Sequence, residues 1–303
     1  MISRRLFLAS GAALMACKPK ADSVQKRLAV TMDDFNLGFN IRLDAQTRNQ
    51  NILNAFEKHN HKAAGFVTGR FVQSELGQRV LTSWSDAGHM LGNHTFTHLN
   101  STDEDIDVIK ADILKNHEWM MSIKGYESYF RFPFLAEGGD IDKVKAYRRF
   151  LKANGFSNAH VTIDSIDWYI SSRLEARLKD NPNADVSGYR DYYIQSVLDI
   201  ANYKHQLALD LGFRDLPHSF LVHHNVLNGL YLDDLMTALV ADGWRFADAK
   251  DMFKHPIYVL EPETPTRGRS LLSALAQENG VADKGFPKAY YGFGEKTMDA
   301  LGL

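Results

Sequence analysis

Arg27-Leu28-Ala29-Val30-Thr31-Met32-Asp33-Asp34-Phe35 passes from a β-rich apolar run straight into two adjacent acids. An apolar run of this length reads as a strand buried on both faces, as strands of parallel sheets are. The first strand is placed at 27–31, and the unit recurs at 63–68, 90–93, 129–132, 159–163, 220–222 and 245–247. Amphipathic helical stretches fill the gaps at 44–59, 73–87, 102–123, 140–153, 187–211 and 230–241. Such alternation predicts a βα-repeating fold with a parallel sheet or barrel of roughly seven strands. Asp44 and Thr102 read as N-caps, and Gly88, Gly155, Gly212 and Gly243 sit where helices should stop.

Composition narrows the chemistry. The 303 residues are 45% hydrophobic and 24% charged, which fits a folded chain and neither a disordered nor a polytopic membrane protein. Thirty-five basic residues against 37 acidic ones give a formal charge of −2 with no long block of one sign, so no nucleic-acid partner is indicated. A single cysteine excludes an internal disulfide and a Cys-based zinc cluster. Any metal would need His and carboxylate ligands, and twelve histidines are available.

The first 16 residues read as an export signal rather than as part of the fold. Arg4 and Arg5 precede an apolar run from Leu6 to Ala16, too short to span a bilayer core of ~30 Å. Leu14-Met15-Ala16-Cys17 looks like a bacterial lipobox, with Cys17 as the lipidated residue, and Ser3-Arg4-Arg5-Leu6-Phe7-Leu8 resembles a twin-arginine signature. The expected product is a membrane-held lipoprotein facing the periplasm. Lys18 after the cysteine favours the outer membrane. Residues 17–26 form a tether and 27–255 the barrel, with an insertion near 169–217 that carries an Asn-Pro-Asn turn signal at 181–183. Residues 256–303 are Pro-rich at first, then carry a short helix near 270–279 and a Gly/aromatic tail, and read as a C-terminal extension.

Potentially catalytic residues fall just after the strands, where barrel active sites gather. Asp33 and Asp34 end the first strand. Neighbouring strand residues face opposite ways, so both reach one cavity only if the backbone bends there; one acid then suits a metal and the other a base. After the third strand, His94 and His98 stand at i and i+4 in His94-Thr95-Phe96-Thr97-His98, a spacing at which a helix lets both imidazoles meet one cation. Arg131 lies among Phe130, Phe132 and Phe134; a buried guanidinium needs a carboxylate, and Asp33 is the obvious partner. Asp164-Ser165-Ile166-Asp167-Trp168 sets acids beside an indole, suited to orienting an imidazole. Phe220-Leu221-Val222-His223-His224 delivers a histidine from the end of an apolar strand. His89 and His117 read as structural.

In order, T-M-D-D (31–34), H-T-F-T-H (94–98), R-F-P-F (131–134), D-S-I-D-W (164–168) and L-V-H (221–223) resemble the five motifs of the polysaccharide deacetylases, the NodB-homology family of metal-dependent carbohydrate esterases. The resemblance covers roughly residues 27–248 and implies a distorted (β/α)₇ barrel in a single domain. It implies Asp34, His94 and His98 as ligands of a divalent metal, most simply Zn²⁺. It also implies Asp33 as general base, Arg131 as the group that orients it, Asp167 as tuner of the acid and His223 as general acid. Trp168, Phe132 and Phe134 are expected to pack against an acetylated glycan substrate. Two departures stand out. Phe35 replaces a common glycine after the acid pair, and His224 replaces a common acid after the last histidine, leaving His224 as runner-up to His223. The implied reaction is removal of acetyl groups from an N- or O-acetylated poly- or oligosaccharide. Alternatives are hydrolysis of a non-saccharide C–N bond at the same metal and an inactive carbohydrate-binding lipoprotein.

Overall fold

The computed structural model describes residues 24–38, 40, 42–266, 268–281 and 294–303. The leader with Cys17 and residues 290–293 of the aromatic tail lie outside them. Strands and helices alternate as β1 (Arg27–Asp34), α1 (Ala45–Lys58), β2 (Ala64–Val67), α2 (Glu75–Asp86), β3 (Met90–Asn93), α3 (Ile106–Met120), β4 (Tyr126–Phe130), α4 (Ile141–Ala153) and β5 (Ser157–Asn158). Then come α5 (Asp167–Asp180), α6 (Ser187–Asp210), β6 (Pro217–His223), α7 (Val226–Ala241), β7 (Arg245–Phe246), α8 (Ala249–Met252), α9 (Leu271–Glu278) and α10 (Gly294–Ala300).

All pairings among these strands are parallel, in the order β5-β4-β3-β2-β1-β6. Two-residue β7 pairs with the start of β1 at Arg27 and Leu28, while β2 pairs with its end from Thr31 to Asp34. The chain that leaves β5 curls the sheet round: Ala159 N donates to Phe130 O of β4 at 2.7 Å, and four residues later Ile163 bridges Phe220 of β6. The expected fold class, a distorted (β/α)₇ barrel, is the one observed.

Period-two alternation on β1 explains the two cores. Leu28, Val30 and Met32 join Phe56, Trp84, Phe220 and Leu239 in the layer between strands and helices. Ala29 points the other way and packs with Ala64, Phe66 and Met90 inside the barrel. Residues of the C-terminal segment fill that interior from the amino ends of the strands, with Phe253, Ile257, Tyr258 and Leu271 in the same cluster. The Tyr258 hydroxyl donates to Pro217 O at 2.7 Å, and Leu271 N donates to Val161 O at 2.7 Å.

Helix stops fall where the glycines predict them, with left-handed φ of 80° at Gly88, 73° at Gly155, 90° at Gly212 and 92° at Gly243. Asp44 caps α1 by accepting from Thr47 N at 2.9 Å. Thr102 is not a cap: α3 starts later, and the cap is Asp105, which accepts from Asp107 N. Between 169 and 217 the chain forms two helices that pack beside α7, with the Asn181-Pro182-Asn183 turn separating α5 from α6. The short helix expected near 270–279 is α9, capped by the Ser270 side chain.

Candidate active site and metal centre

β1 ends in a left-handed turn that sets both of its acids against His94. Asp33 points inward on the strand, whereas Asp34 and Phe35 adopt left-handed φ of 77° and 57°. Non-glycine residues in this region cost roughly 1–2 kcal/mol each. Thr95, His98, Phe134 and Leu135 are left-handed as well, so of the seven such residues among those described, only Asn60 lies away from these motifs. The strain collects at the carboxyl ends of the strands.

Phe35, standing where a glycine is common, has an anchor that supports this conformation. Its ring is fully buried, packing edge-on to Trp84 at 4.8 Å and stacked on His224 at 5.2 Å. Gly65 makes the room, since a Cβ there would lie 2.5 Å from Phe35 Cζ.

Asp34, His94 and His98 offer donor atoms within 4.8 Å of one another. Asp34 Oδ1 lies 3.0 Å from His98 Nε2 and 3.4 Å from His94 Nε2. Tetrahedral bonds of ~2.0–2.2 Å separate neighbouring ligand atoms by about these distances. That oxygen is buried and accepts no hydrogen bond from the protein. Burial alone would raise the Asp34 carboxyl, but His94 and His98 beside it, with His223 adding, hold it well below the usual carboxylate range. His94 Nδ1 lies 2.9 Å from Arg131 O, an acceptor, so Nδ1 carries the proton and Nε2 presents its lone pair to the cavity. An orphaned carboxylate oxygen facing an imidazole held in this tautomer fits a divalent cation. The pair does not meet as a helix would arrange it. Residues 94–98 form a loop, tied down where Asp112 Oδ2 accepts from Phe96 N and Thr97 N and where Asn93 Oδ1 accepts from Thr95 N.

Asp33 and Arg131 form the buried pair the sequence anticipates. Arg131 Nη1 donates to Asp33 Oδ1 at 2.7 Å and to Thr31 Oγ1 at 2.8 Å, and Nε donates to Ala159 O at 3.0 Å. The guanidinium carbon sits 4.0 Å from the centre of the Phe66 ring. Asp33 Oδ2 is left facing His94 Nε2 at 3.7 Å.

On the neighbouring strand β6, where His223 is the register partner of Asp33, His223 Nδ1 donates to Asp167 Oδ1 at 2.8 Å. Asp167 is fully buried and also accepts from Ser165 Oγ, His223 N, Asn225 Nδ2 and Asn228 Nδ2. Burial works to lower the His223 pKa, but the charge and hydrogen bond of Asp167, with Asp34 and Asp33 adding, raise it to about 10. His224 points into the helix layer, stacked on Phe35 with Nε2 3.4 Å from Asn49 Oδ1, and burial lowers it to about 3. Of the two adjacent imidazoles, His223 is the one held by a carboxylate on the barrel side.

The three aromatic residues expected to meet the substrate separate. Phe134 is 56% exposed with its ring 4.7 Å from that of His98, and Trp168 is 44% exposed at the start of α5. Phe132 is a correction: 4% exposed, its ring packs on Phe130 and Tyr147 in the core under α3 and α4 rather than facing solvent as Phe134 does. Beside Phe134 lies an open groove of about 450 Å³ lined in part by Asn100, Gly138, Gly139 and Gly268. Asn225 and Asn228 escaped the sequence reading, although their places two and five residues after His223, at a helix start, were a usable signal.

His117 bonds Tyr126 Oη at 2.7 Å and His89 Nδ1 accepts from Ala63 N, so both serve the fold.

The polysaccharide deacetylase family profile matches residues 20–150. A peptidoglycan-N-acetylglucosamine deacetylase of Bacillus cereus is 27% identical over 118 residues, 39% of this chain and 40% of the relative. A peptidoglycan-N-acetylmuramic acid deacetylase, PdaA, of Bacillus subtilis strain 168 is 27% identical over 124 residues, 40% of this chain and 44% of the relative. The chain thus spans well under half the length of these relatives. In fold it resembles BA3943 of Bacillus anthracis, described as a CE4 family pseudoenzyme, with TM-score 0.51 and 20% identity over 75% of this chain and 65% of that one. Residues 20–150 are thus similar to the polysaccharide deacetylase family, and the solved structures share the fold.

Proposed function

We propose that this protein is a metal-dependent hydrolase that removes acetyl groups from an N- or O-acetylated polysaccharide. The names of its relatives support peptidoglycan-type strands as the substrate. The observation that carries the reading is one cluster at the strand ends: a three-donor metal set, a carboxylate locked by Arg131 and an imidazole locked by Asp167.

A divalent ion on Asp34, His94 and His98, zinc by default for this donor set, would supply Lewis acidity toward the acetyl carbonyl and acidify bound water. Asp33, fixed by Arg131 through Oδ1, takes a proton from the attacking water as its oxygen bonds to the acetyl carbon. His223 gives the proton on its free nitrogen to the departing sugar amine or alcohol as the bond to carbon breaks. The products are acetate and a deacetylated sugar. Phe134 and Trp168 supply apolar surface for the sugar faces.

A pure carbohydrate binder needs neither the base nor the acid, and the presence of both with their partners supports catalysis over that alternative. The same chemistry would also serve a non-saccharide C–N bond. The lipobox at Leu14-Met15-Ala16-Cys17 supports an address on a membrane facing the periplasm, where such glycans lie. Purified protein loaded with Zn²⁺ should release acetate from acetylated glycan oligomers and from peptidoglycan fragments. No acetate from any of them, with one ion bound per chain, would sink the reading.

A further inference from the structure

α6 lies beyond the segment that the family profile matches, yet one of its side chains reaches toward the catalytic wall. Tyr193 is fully buried, and its hydroxyl lies 2.6 Å from Asn228 Oδ1 on the first turn of α7. Asn228 Nδ2 faces three acceptors: Asp167 Oδ2 at 2.8 Å, His223 O at 2.9 Å and Asn225 Oδ1 at 3.2 Å. A flipped amide would set its oxygen against all three, so the acceptors fix the amide nitrogen on the Asp167 side. Oδ1 is then left facing Tyr193, and the phenol must donate. The direction of every bond from Tyr193 to His223 follows: phenol to amide, amide to carboxylate, with imidazole Nδ1 donating to the other carboxylate oxygen at 2.8 Å.

We propose that Tyr193 and Asn228 are positioning residues that lock the Asp167 carboxylate onto His223 Nδ1, so that the other ring nitrogen carries the transferable proton at the cavity. Neither touches the reacting atoms. Asn225 complements them by splitting its amide: Oδ1 caps α7 by accepting from Asn228 N at 2.9 Å, and Nδ2 donates to Asp167 Oδ2 at 2.9 Å. The start of α7 and the catalytic carboxylate are thereby one hydrogen-bonded unit, and buried networks of this kind act cooperatively. Helix α6 enters it through Tyr193.

The inference rests on the proposed deacetylation, and its test has one arm that does not. Tyr193→Phe keeps the ring and removes only the donor; Asn228→Ala removes the amide. Both purified variants should retain one divalent ion per chain. With ¹⁵N-labelled histidine, the Nδ1 proton of His223 should give a slowly exchanging downfield resonance, assigned by its loss in His223→Gln. In both variants that resonance should shift upfield or broaden. On acetylated oligomers kcat should fall about tenfold with KM changed less than about twofold, and the double variant should lose no more than the worse single one. Unchanged kcat and resonance in Tyr193→Phe, or a lowered melting temperature as the sole effect of both variants, would overturn the positioning role. If the parent protein releases no acetate from any glycan, the deacetylase reading falls, and the resonance alone decides the positioning.

Discussion

His223 at the carboxyl ends of the strands and His61 just before β2 sit at opposite ends of one barrel, and the fold drives their chemistry apart. Burial works against the charged form of both. Beside His223 the fully buried Asp167 overturns that penalty and raises the imidazole to about 10. His61 packs against Phe56 and Phe246, and burial, with His89, His59 and Lys62 adding, lowers it to about 3; burial and Lys62 lower His89 to about 4. His61 Nε2 accepts from Val30 N at 3.1 Å and His89 Nδ1 from Ala63 N at 3.1 Å, each holding the backbone at or beside a strand as a neutral ring. The difference lies in the partner: a carboxylate makes a buried histidine an acid, and a backbone N–H makes it a peg.

The sharpest way to break this contrast is at the metal set. Asp34→Ala, His94→Ala and His98→Ala should each lose stoichiometric divalent metal, measured by elemental analysis, and lower acetate release by at least about a thousandfold. His61→Gln and His89→Gln should do neither. Full metal content in all three mouth variants would remove the assignment of ligands.

Base and ligand separate next. Asp33→Asn keeps the shape and should retain metal while turnover falls on the order of a hundredfold or more, because an amide cannot take the proton. Arg131→Ala strands a buried carboxylate and should cost stability by about 3–5 kcal/mol in denaturant unfolding, besides lowering activity. Full activity in Asp33→Asn would move the base elsewhere. His223→Ala should then cost turnover on the order of a hundredfold, against less than tenfold for His224→Ala, whose ring packs on Phe35 away from the mouth. The reverse order would shift the last motif by one residue.

Most of the mouth was legible because its chemistry is written in residue type at strand ends. Asp33, Asp34, Arg131 and His223 follow apolar runs, and the position of a residue after a strand predicts where a barrel puts it. What resisted reading depended on backbone direction. The i, i+4 spacing of His94 and His98 suggested a helix, but a strained loop pinned by Asp112 brings the rings together. Phe132 and Phe134 alternate in sequence, yet the left-handed turn at Phe134 sends one ring into the core and the other to the cavity. Tyr193 gave no signal at all, since a tyrosine on a helix heptads away from any motif looks like core until its hydroxyl finds Asn228. At the far end His61 was equally silent, because a neutral acceptor for a backbone N–H carries no sequence signature, whereas His89 read as structural and is so.

Those far-end histidines give the smallest and most specific prediction. An unfolded histidine titrates near 6.5, and His61 and His89 do so in the fold only at about 3 and about 4. Above pH 6.5 both states are neutral and the two residues contribute their full stabilisation. As the pH falls below 6.5 the unfolded chain takes up protons that the folded chain refuses, so stability drops by up to ~1.4 kcal/mol per pH unit for each residue. The loss runs down to about pH 4 for His89 and about pH 3 for His61. Glutamine at either position offers an oxygen to the same backbone N–H without a titrating ring. Denaturant unfolding between pH 7 and about pH 5 should therefore show a shallower acid slope in His61→Gln than in the parent, whatever the change at pH 7. His223→Gln should not flatten that slope: its folded pKa is raised, so its contribution is fully present below 6.5 and disappears only as the pH climbs toward about 10. An identical acid slope in His61→Gln and the parent would mean that the ring accepts its proton within the fold, and the two ends of the barrel would then differ less than their partners imply.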